Sequence, residues 1–273
     1  MSQRLGLGRY VREMVVVVLS ILIAFGVDAW WDGVQASREE KELLGELQRD
    51  FANSLEMLDD RWIPIHRVTL IATLDLLWLV HGGQEPLPLD PATVLTGNLD
   101  FVFDLAEAPF STTPTTITVA DSLVASALFD ATYDPTLASL DALLQSGSLD
   151  KFQNRDLRAA LAGFPAILAD SGDEERRARN LATDHLRPAL RAAGNITLSE
   201  IVGWSFSSAA LDDPRGWSPE IRNHRVELRV TSEIANILAS RARLQEDILI
   251  SLADLRERME EILALIEAEL GDS

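Results

Sequence analysis

Histidines are the residues of this chain whose side chains could most readily bind a metal ion or carry protons. Zinc enzymes place two histidines on one helix face with a spacing such as H-E-x-x-H. The four positions are His66, His81, His185 and His224. No pair has that spacing, and the absence of cysteine excludes thiolate ligands, disulfides and cysteine nucleophiles. We expect no metal and no cofactor, with His81 at a helix C-terminus and His185 and His224 at the surface.

Three short motifs resemble reactive sites but lack the partners that the chemistry needs. Ser148-Leu149-Asp150-Lys151 matches the S-x-x-K of penicillin-binding enzymes without their S-D-N and K-T-G motifs. Gly203-Trp204-Ser205-Phe206-Ser207 resembles a nucleophile elbow without its final glycine or preceding strand. The acidic run from Asp170 to Glu175 lacks the alternating spacing of a calcium loop and is typical of a helix N-terminus. The sequence therefore predicts no catalytic residue and a protein that is not an enzyme.

An uncharged apolar run, Met14 to Val27, predicts a membrane span near the N-terminus. Tyr10 precedes the run, and Trp30 and Trp31 follow it. About 20 residues separate Tyr10 from Trp30, which is roughly 30 Å of helix and matches a hydrocarbon core. Aromatic residues at both ends are typical of the two membrane interfaces.

Charges on either side of the run predict its orientation. Arg4, Arg9 and Arg12 precede it, and Asp28 and Asp32 follow it. The positive-inside rule then predicts a cytoplasmic segment at 1–9, a transmembrane helix at 10–31 and an extracytoplasmic domain at 32–273, in a bacterial inner membrane. The alternative is a cleaved signal peptide, because small residues lie near position 28. Cleavage there would leave tryptophan directly after the cut, so we favour the uncleaved anchor.

The overall charge excludes nucleic acid as a partner. The formal net charge is -19, and a binder of nucleic acid needs cations to neutralise phosphates. Residues 1–27 contain three arginines and one glutamate, so the acidity lies in the predicted external domain. Such a domain stays soluble and avoids anionic headgroups.

Apolar spacing and caps predict helices through most of that domain. A helix starting at Ser37 has an apolar stripe at three- and four-residue steps to Trp62 and continues from the span, with Gly33 as a bend. Pro64 should kink it, and Val68 to Val80 should form a buried helix. Residues 92–118 are hard to interpret, since Leu99 to Leu105 alternates like a strand but could equally be irregular.

The middle of the chain predicts shorter helices. We expect one from Val119 to Phe129, one capped by Asp134-Pro135 that ends at Gly147, and one capped by Asn154. A break at 170–173 should separate the last from a helix that ends at Gly194.

A heptad pattern with one stutter predicts a C-terminal helix of about 40 residues from Val230 to beyond Ile266. Its seam includes Arg241. We expect this helix to fold back on the helix after Ser37, with Leu252 and Leu255 buried and Arg256 and Glu260 solvated; an intermolecular coiled coil is the alternative. The predicted fold class is therefore all-α: a transmembrane helix continuing into a helical bundle with a long antiparallel C-terminal helix.

Residues 21–51, ILIAFGVDAWWDGVQASREEKELLGELQRDF, resemble the opening of an uncharacterised bacterial family of single-span membrane proteins. Residues 136–161 and 248–270 are similar to the family's middle and end. The matching positions at the N-terminus are Glu13, Ile21, Leu22, Ile23, Ala24, Trp30, Asp32, Glu39 and Leu47. The resemblance implies one N-terminal span and a helical external domain, and it supplies no catalytic residues.

These observations predict a non-catalytic accessory or structural subunit of a larger inner-membrane complex, for which a respiratory or photosynthetic assembly would be a reasonable host. The expected partners are the lipid bilayer and other integral-membrane subunits. Small and aromatic residues are the candidate contacts, since they allow close helix approach or anchor interfaces. They are Tyr10, Ala24, Gly26, Trp30, Trp31, Trp204 and Trp217. The alternative function is a membrane-anchored sensor or ligand-binding domain.

Overall fold

The structure, a computed structural model, describes residues 4–83, 114–196 and 223–272. These residues are mostly helical and include one small two-stranded sheet. The helices are α1 (Arg4–Met57), α2 (Ile63–Val80), α3 (Asp121–Ala127), α4 (Ala138–Ser146), α5 (Arg155–Leu181), α6 (Arg187–Ala193) and α7 (Ser232–Asp272). The strands are β1 (Thr115–Ala120) and β2 (Arg225–Val230). Two π-helical turns, Leu58–Trp62 and Ala182–Leu186, and one 3₁₀ turn, Ser148–Lys151, connect helices.

Helix α1 runs without interruption from the apolar N-terminal segment into the domain. It has 54 residues, which is about 80 Å at the rise of an α-helix. The expected bend at Gly33 is not a break, because the helix continues through it. From Val17 onward, Leu44, Leu47 and Phe51 are the first fully buried side chains along it. The single helix α1 therefore contains both the exposed apolar segment and part of the core.

Each π turn ends two residues before a proline. Pro64 and Pro188 stand in the first turn of α2 and α6, and a proline nitrogen cannot donate to the carbonyl four residues back. The residue before each proline instead bonds five residues back, Ile63 N to Leu58 O and Arg187 N to Ala182 O. The predicted disruption at Pro64 is thus a widened helical turn.

Helix α5 corrects the predicted break at 170–173, since it is continuous from Arg155 to Leu181. Its buried positions repeat at steps of three, four and seven, so one face stays against the core along the whole helix. They are Leu157, Leu161, Phe164, Ser171, Glu175 and Ala178. Asp170 and Asp173 of the acidic run are exposed, Glu174 is partly buried and Glu175 is buried, which the sequence pattern did not indicate. Pro165 is accommodated inside the helix.

Local caps agree with the sequence in two places and differ in one. Asn154 Oδ1 accepts from the backbone nitrogens of Asp156 and Leu157 at 2.9 and 3.1 Å, and Gly147 ends α4 with a left-handed φ of 68°. The predicted cap at Asp134-Pro135 is wrong, because α4 begins three residues later at Ala138. Residues 129–137 form an irregular segment instead, with Pro135 buried.

A small two-stranded sheet, which the sequence did not predict, adds to the mostly helical fold. β1 and β2 are antiparallel, with Thr115 opposite Val230 and Ala120 opposite Arg225. Val119, predicted as a helix start, lies in β1, and Val230 lies in β2 rather than in α7. Every second residue of β2 is buried, which is the alternation of a strand with one face on a core. The sheet packs against α2, α3 and α6.

Helix α7 lies antiparallel against the second half of α1, as their apolar stripes predict. Leu252 and Leu255 are fully buried in the same cluster as Leu44, Phe51 and Leu58. Glu260 is exposed as expected, and Arg256 is partly exposed: its Nε donates to Asp59 at 2.8 Å, and its Nη1 lies 3.0 Å from Glu260. A second apolar cluster joins α2, α3, the sheet, α6 and the first half of α7.

Candidate functional site

The apolar N-terminal part of α1 is a first candidate site because nothing in the described structure covers it. Every side chain from Val17 to Gly33 is exposed, including Phe25 at 67% and Trp30 at 64%. Within the described residues, this helix alone is long and apolar enough to cross a membrane, judged by length and composition. Soluble proteins bury such a surface.

The predicted contact residues in this segment do not share a single face. At 100° per residue, Gly26 lies near Trp30, while Ala24 lies near Trp31 on an adjacent face. The two indole rings are 6.4 Å apart and tilted by 57°, and a Cβ added at Gly26 would meet no atom within 4 Å. Tyr10 belongs to the first turns of α1. Trp204 and Trp217 lie outside the described residues.

The domain approaches this segment closely. A groove of about 560 Å³ is lined by Gly33 and Ala36 of α1, Lys151 of the 3₁₀ turn and Glu269 near the end of α7. Gly33 follows Trp31 by two residues, which is about 3 Å along the helix axis. The acidic end of α7 therefore lies beside the proposed membrane interface.

A second candidate is the buried polar cluster, which we define as His66, Asp130, Glu175, Arg241 and Gln245. These side chains come from α2, the segment 129–137, α5 and α7, and polar contacts link them to one another. His66 is 2% exposed and Arg241 is 0% exposed. A buried polar group must find partners or destabilise the fold, so the contacts of the cluster determine what it can do.

Arg241 is the centre of one half of the cluster. Its Nη1 donates to the carbonyl of Ala178 at 2.5 Å, and its Nη2 donates to the carbonyl of Phe129 at 2.7 Å and to Asp130 Oδ1 at 2.8 Å. Burial raises the pKa of the Asp130 carboxyl, while the Arg241 charge lowers it in part. Burial also lowers the pKa of Arg241, and Asp130 opposes that shift. Through these hydrogen bonds Arg241 connects α7 to α5 and to the segment 129–137.

Glu175 and His66 form the other half. Both carboxylate oxygens of Glu175 accept from the backbone nitrogen of Tyr133, at 3.1 and 3.0 Å. His66 Nε2 lies 3.5 Å from Glu175 Oε1, and His66 Nδ1 lies 3.1 Å from the side-chain amide of Gln245. His66 Nε2 makes no hydrogen bond in the described structure. The ring therefore lies between an acid on α5 and an amide on α7.

Tyr133 connects the cluster to the end of α1. Its hydroxyl donates to the carbonyl of Ser54 at 2.9 Å, and its ring meets Trp62 edge-on at 6.3 Å between centroids. Burial raises the pKa of Tyr133 well above its ordinary value. The phenol stays neutral and acts as a fixed donor to α1.

The remaining histidines lie outside the cluster. His81 follows α2 as its C-cap, as predicted, and burial lowers its pKa, which favours the neutral ring. His185 is exposed in the second π turn. His224 is exposed, as predicted, and it is also hydrogen-bonded to the buried Asp121 carboxylate.

The side chains of His66, Glu175, Arg241 and Gln245 are buried, and that of Asp130 is partly exposed, so the cluster is mainly a set of internal hydrogen-bonding groups. Within the described residues, no group of three histidine, aspartate or glutamate side chains could hold a metal ion. The sequence placed Arg241 at an apolar seam position and gave it no role. The sequence signal that could have indicated a buried polar cluster was a cation at a predicted core position, followed four residues later by Gln245.

No protein-family model, no curated protein and no solved structure matches this chain. The resemblance at residues 21–51 therefore stays a prediction.

Proposed function

We propose that this protein is a membrane-anchored, non-catalytic accessory subunit of a larger bacterial inner-membrane complex. The observation that carries the proposal is α1, whose exposed apolar segment passes without a break into the buried core of the domain. An exposed apolar surface all round a helix is favourable in lipid and unfavourable in water. The N-terminus would be cytoplasmic and residues 32–273 extracytoplasmic, from the arginines before the span.

The same helix makes the anchor and the domain one mechanical unit. Leu44, Leu47 and Phe51 of α1 are fully buried against α7 and neighbouring helices. The distance of the domain from the bilayer is thus set by helix geometry and not by a flexible linker. A subunit that must present one surface to a neighbouring membrane protein benefits from this fixed placement.

Two faces of the anchor support contact with other integral-membrane subunits. Gly26 has open space around it, and small residues let a second helix come close within lipid. Trp30 and Trp31 lie at the level of the groove beside Glu269. We propose that a partner helix packs at Gly26 within the bilayer.

The test is extraction of the native protein in mild detergent, followed by identification of the co-purifying membrane proteins. Gly26→Leu fills the open space and should reduce the recovered partner several-fold without unfolding the domain. Gly163→Leu is the control, because Gly163 is also helical with open space around it but lies on α5. A monodisperse protein without membrane partners, or equal loss from both variants, would contradict the proposal.

A membrane-anchored sensor or ligand-binding domain is the second proposal. It is supported by the hydrogen bond of Tyr133 to Ser54, which joins the buried polar cluster to the helix that reaches the membrane. A change in the cluster would thus be communicated to α1. This proposal predicts a ligand-dependent change in Trp62 fluorescence in protein freed of partners. We also propose that the chain belongs to the single-span family that residues 21–51 resemble.

A further inference from the structure

The side-chain amide of Gln245 has two neighbours with opposite requirements. The guanidinium of Arg241 offers only donors, so the oxygen of Gln245 must face it. In that orientation the oxygen accepts from Arg241 Nη1 and Nη2 at 3.2 Å, and the nitrogen donates to His66 Nδ1 at 3.1 Å. A donor directed at Nδ1 requires a lone pair there. The neutral ring of His66 therefore carries its proton on Nε2.

The other nitrogen of the ring faces an acid. His66 Nε2 lies 3.5 Å from Glu175 Oε1, just beyond a good hydrogen bond. The Glu175 side chain is 1% exposed, and its oxygens accept only from Tyr133 N among the hydrogen bonds described above. A short movement of the ring would join Nε2 to this carboxylate.

We propose that His66 is a proton switch that transfers the polar contact of α2 from Gln245 on α7 to Glu175 on α5. A second proton, taken from solvent onto Nδ1, places an N–H against the N–H₂ of Gln245. If the amide rotates to offer its oxygen to His66, its nitrogen then faces the donors of Arg241. One of the two contacts of Gln245 is lost in either case. The imidazolium meanwhile gains a charge-assisted bond to Glu175.

Other titratable and charged groups lie on α2 itself and on the elements that pack against it. They are Arg67 and Asp75 on α2, Asp59, Asp60 and Arg61 in the first π turn, Asp121 on α3, Asp130 and Tyr133 in the segment 129–137, Glu175 and Arg179 on α5, and Arg241 and Glu246 on α7. Asp59 is paired with Arg256, Asp121 with His224 and Asp130 with Arg241. Burial raises the pKa of Glu246, and Asp247 raises it further.

The expected consequence is a local loosening of α7 beside α2. Gln245 is 1% exposed and links His66 to Arg241, so the loss of its contact leaves a buried amide group unsatisfied. The three bonds of Arg241 to Ala178, Phe129 and Asp130 remain, which keeps α7 attached to α5. The switch thus acts on one stretch of α7 and not on the whole fold. The proposal is argued from these contacts and does not depend on the proposed function.

Hydrogen exchange of the full chain in detergent micelles, at about pH 8 and about pH 5.5, tests the switch. After correction for the intrinsic rate, peptides covering 238–249 should exchange roughly tenfold faster at the lower pH. His66→Gln should remove this difference, and His185→Gln, which changes an exposed histidine, should keep it. Equal acid-induced loosening in the wild type and in His66→Gln would overturn the proposal.

A second variant keeps the test decisive if His66→Gln does not fold. Gln245→Glu supplies a carboxylate that can accept from Arg241 and from protonated His66 together, so acid should no longer loosen 238–249. Nitrogen-15 NMR of histidine-labelled protein should show the neutral His66 ring with its proton on Nε2. Persistent loosening in Gln245→Glu, or a neutral ring protonated on Nδ1, would refute the switch.

Discussion

Replacement of Arg241 by methionine tests whether the buried polar cluster contributes to stability in the way its contacts indicate. Methionine keeps much of the length and fills the space with apolar atoms, so the main loss is the guanidinium. Arg241 is fully buried, donates to Ala178, Phe129 and Asp130, and also donates to the side-chain oxygen of Gln245. Without it, the carbonyls of Ala178 and Phe129 and the carboxylate of Asp130 lose their donor.

The expected destabilisation is about 3–5 kcal/mol, the range for removing one partner of a buried ion pair. The Asp130 side chain is 16% exposed, so water cannot fully replace the lost donor. Asp130→Asn should also destabilise, because it leaves the Arg241 cation without its counter-charge. The double variant should be less destabilised than the sum of the two single variants, with a coupling on the order of 1–3 kcal/mol.

The effect of pH on the stability difference between Arg241→Met and the wild type has a definite sign. Burial raises the pKa of Asp130, and Arg241 lowers it in part. Such a carboxyl contributes stability below its ordinary pKa and loses that contribution as pH rises through the raised value. Arg241→Met removes the opposing charge and raises the pKa of Asp130 further. The stability deficit of the variant should therefore be smallest in acid and largest near neutral pH.

These differences are measured by unfolding the full chain with denaturant in micelles and following circular dichroism. The dependence of the unfolding free energy on denaturant concentration should be compared between variants. A deficit below about 1 kcal/mol would show that the contacts of Arg241 are energetically unimportant. A deficit independent of pH, or strict additivity in the double variant, would refute the assigned pairing with Asp130.

Two further substitutions test the packing of α7 on α1. Leu252→Ala should cost about 3–5 kcal/mol of stability by leaving a cavity between the helices. Ile250→Ala, at a position 56% exposed, should change stability by less than about 1 kcal/mol. Similar losses of stability for both variants in unfolding curves would contradict the observed buried face of α7. Arg256→Gln should cost less than about 1 kcal/mol, because both Arg256 and Asp59 are more than a third exposed and water screens the pair; a larger loss would mean that the pair is desolvated.

Patterns that repeat along one helix were predictable from the sequence. The apolar stripes of α1 and α7 each mark a face that must be buried, and two such stripes on long helices have few ways to be covered except by each other. Caps at Asn154 and Gly147 were predictable for a similar reason, since a side-chain acceptor or a left-handed φ acts within a few residues. In each case the physical cause is local.

Features that depend on distant partners were missed. β2 carries a clear alternation at Val226, Leu228 and Val230, but a strand needs a neighbour, and its neighbour β1 lies more than a hundred residues earlier. The acidic run before Glu175 looked like a helix start because acids favour that position. Only the tertiary contact with Tyr133 N shows why one of those acids is buried within a continuous helix.

The buried polar cluster lies where hydrophobic residues of similar volume would be expected to be equally stabilising. Arg241 interrupts an apolar seam, and His66 and Glu175 are ionisable residues buried among mainly apolar neighbours, so stability alone does not account for the choice of residues. What the polar residues add is a single hydrogen-bonding arrangement that joins four segments of the chain, with Tyr133 extending it to α1. An apolar core would tolerate small shifts of these helices along one another. A hydrogen-bond network whose donors and acceptors match in only one arrangement does not tolerate such shifts. The helix that reaches the proposed membrane is therefore fixed to the domain by directional contacts as well as by packing, and a proton on His66 is the smallest change that could alter them.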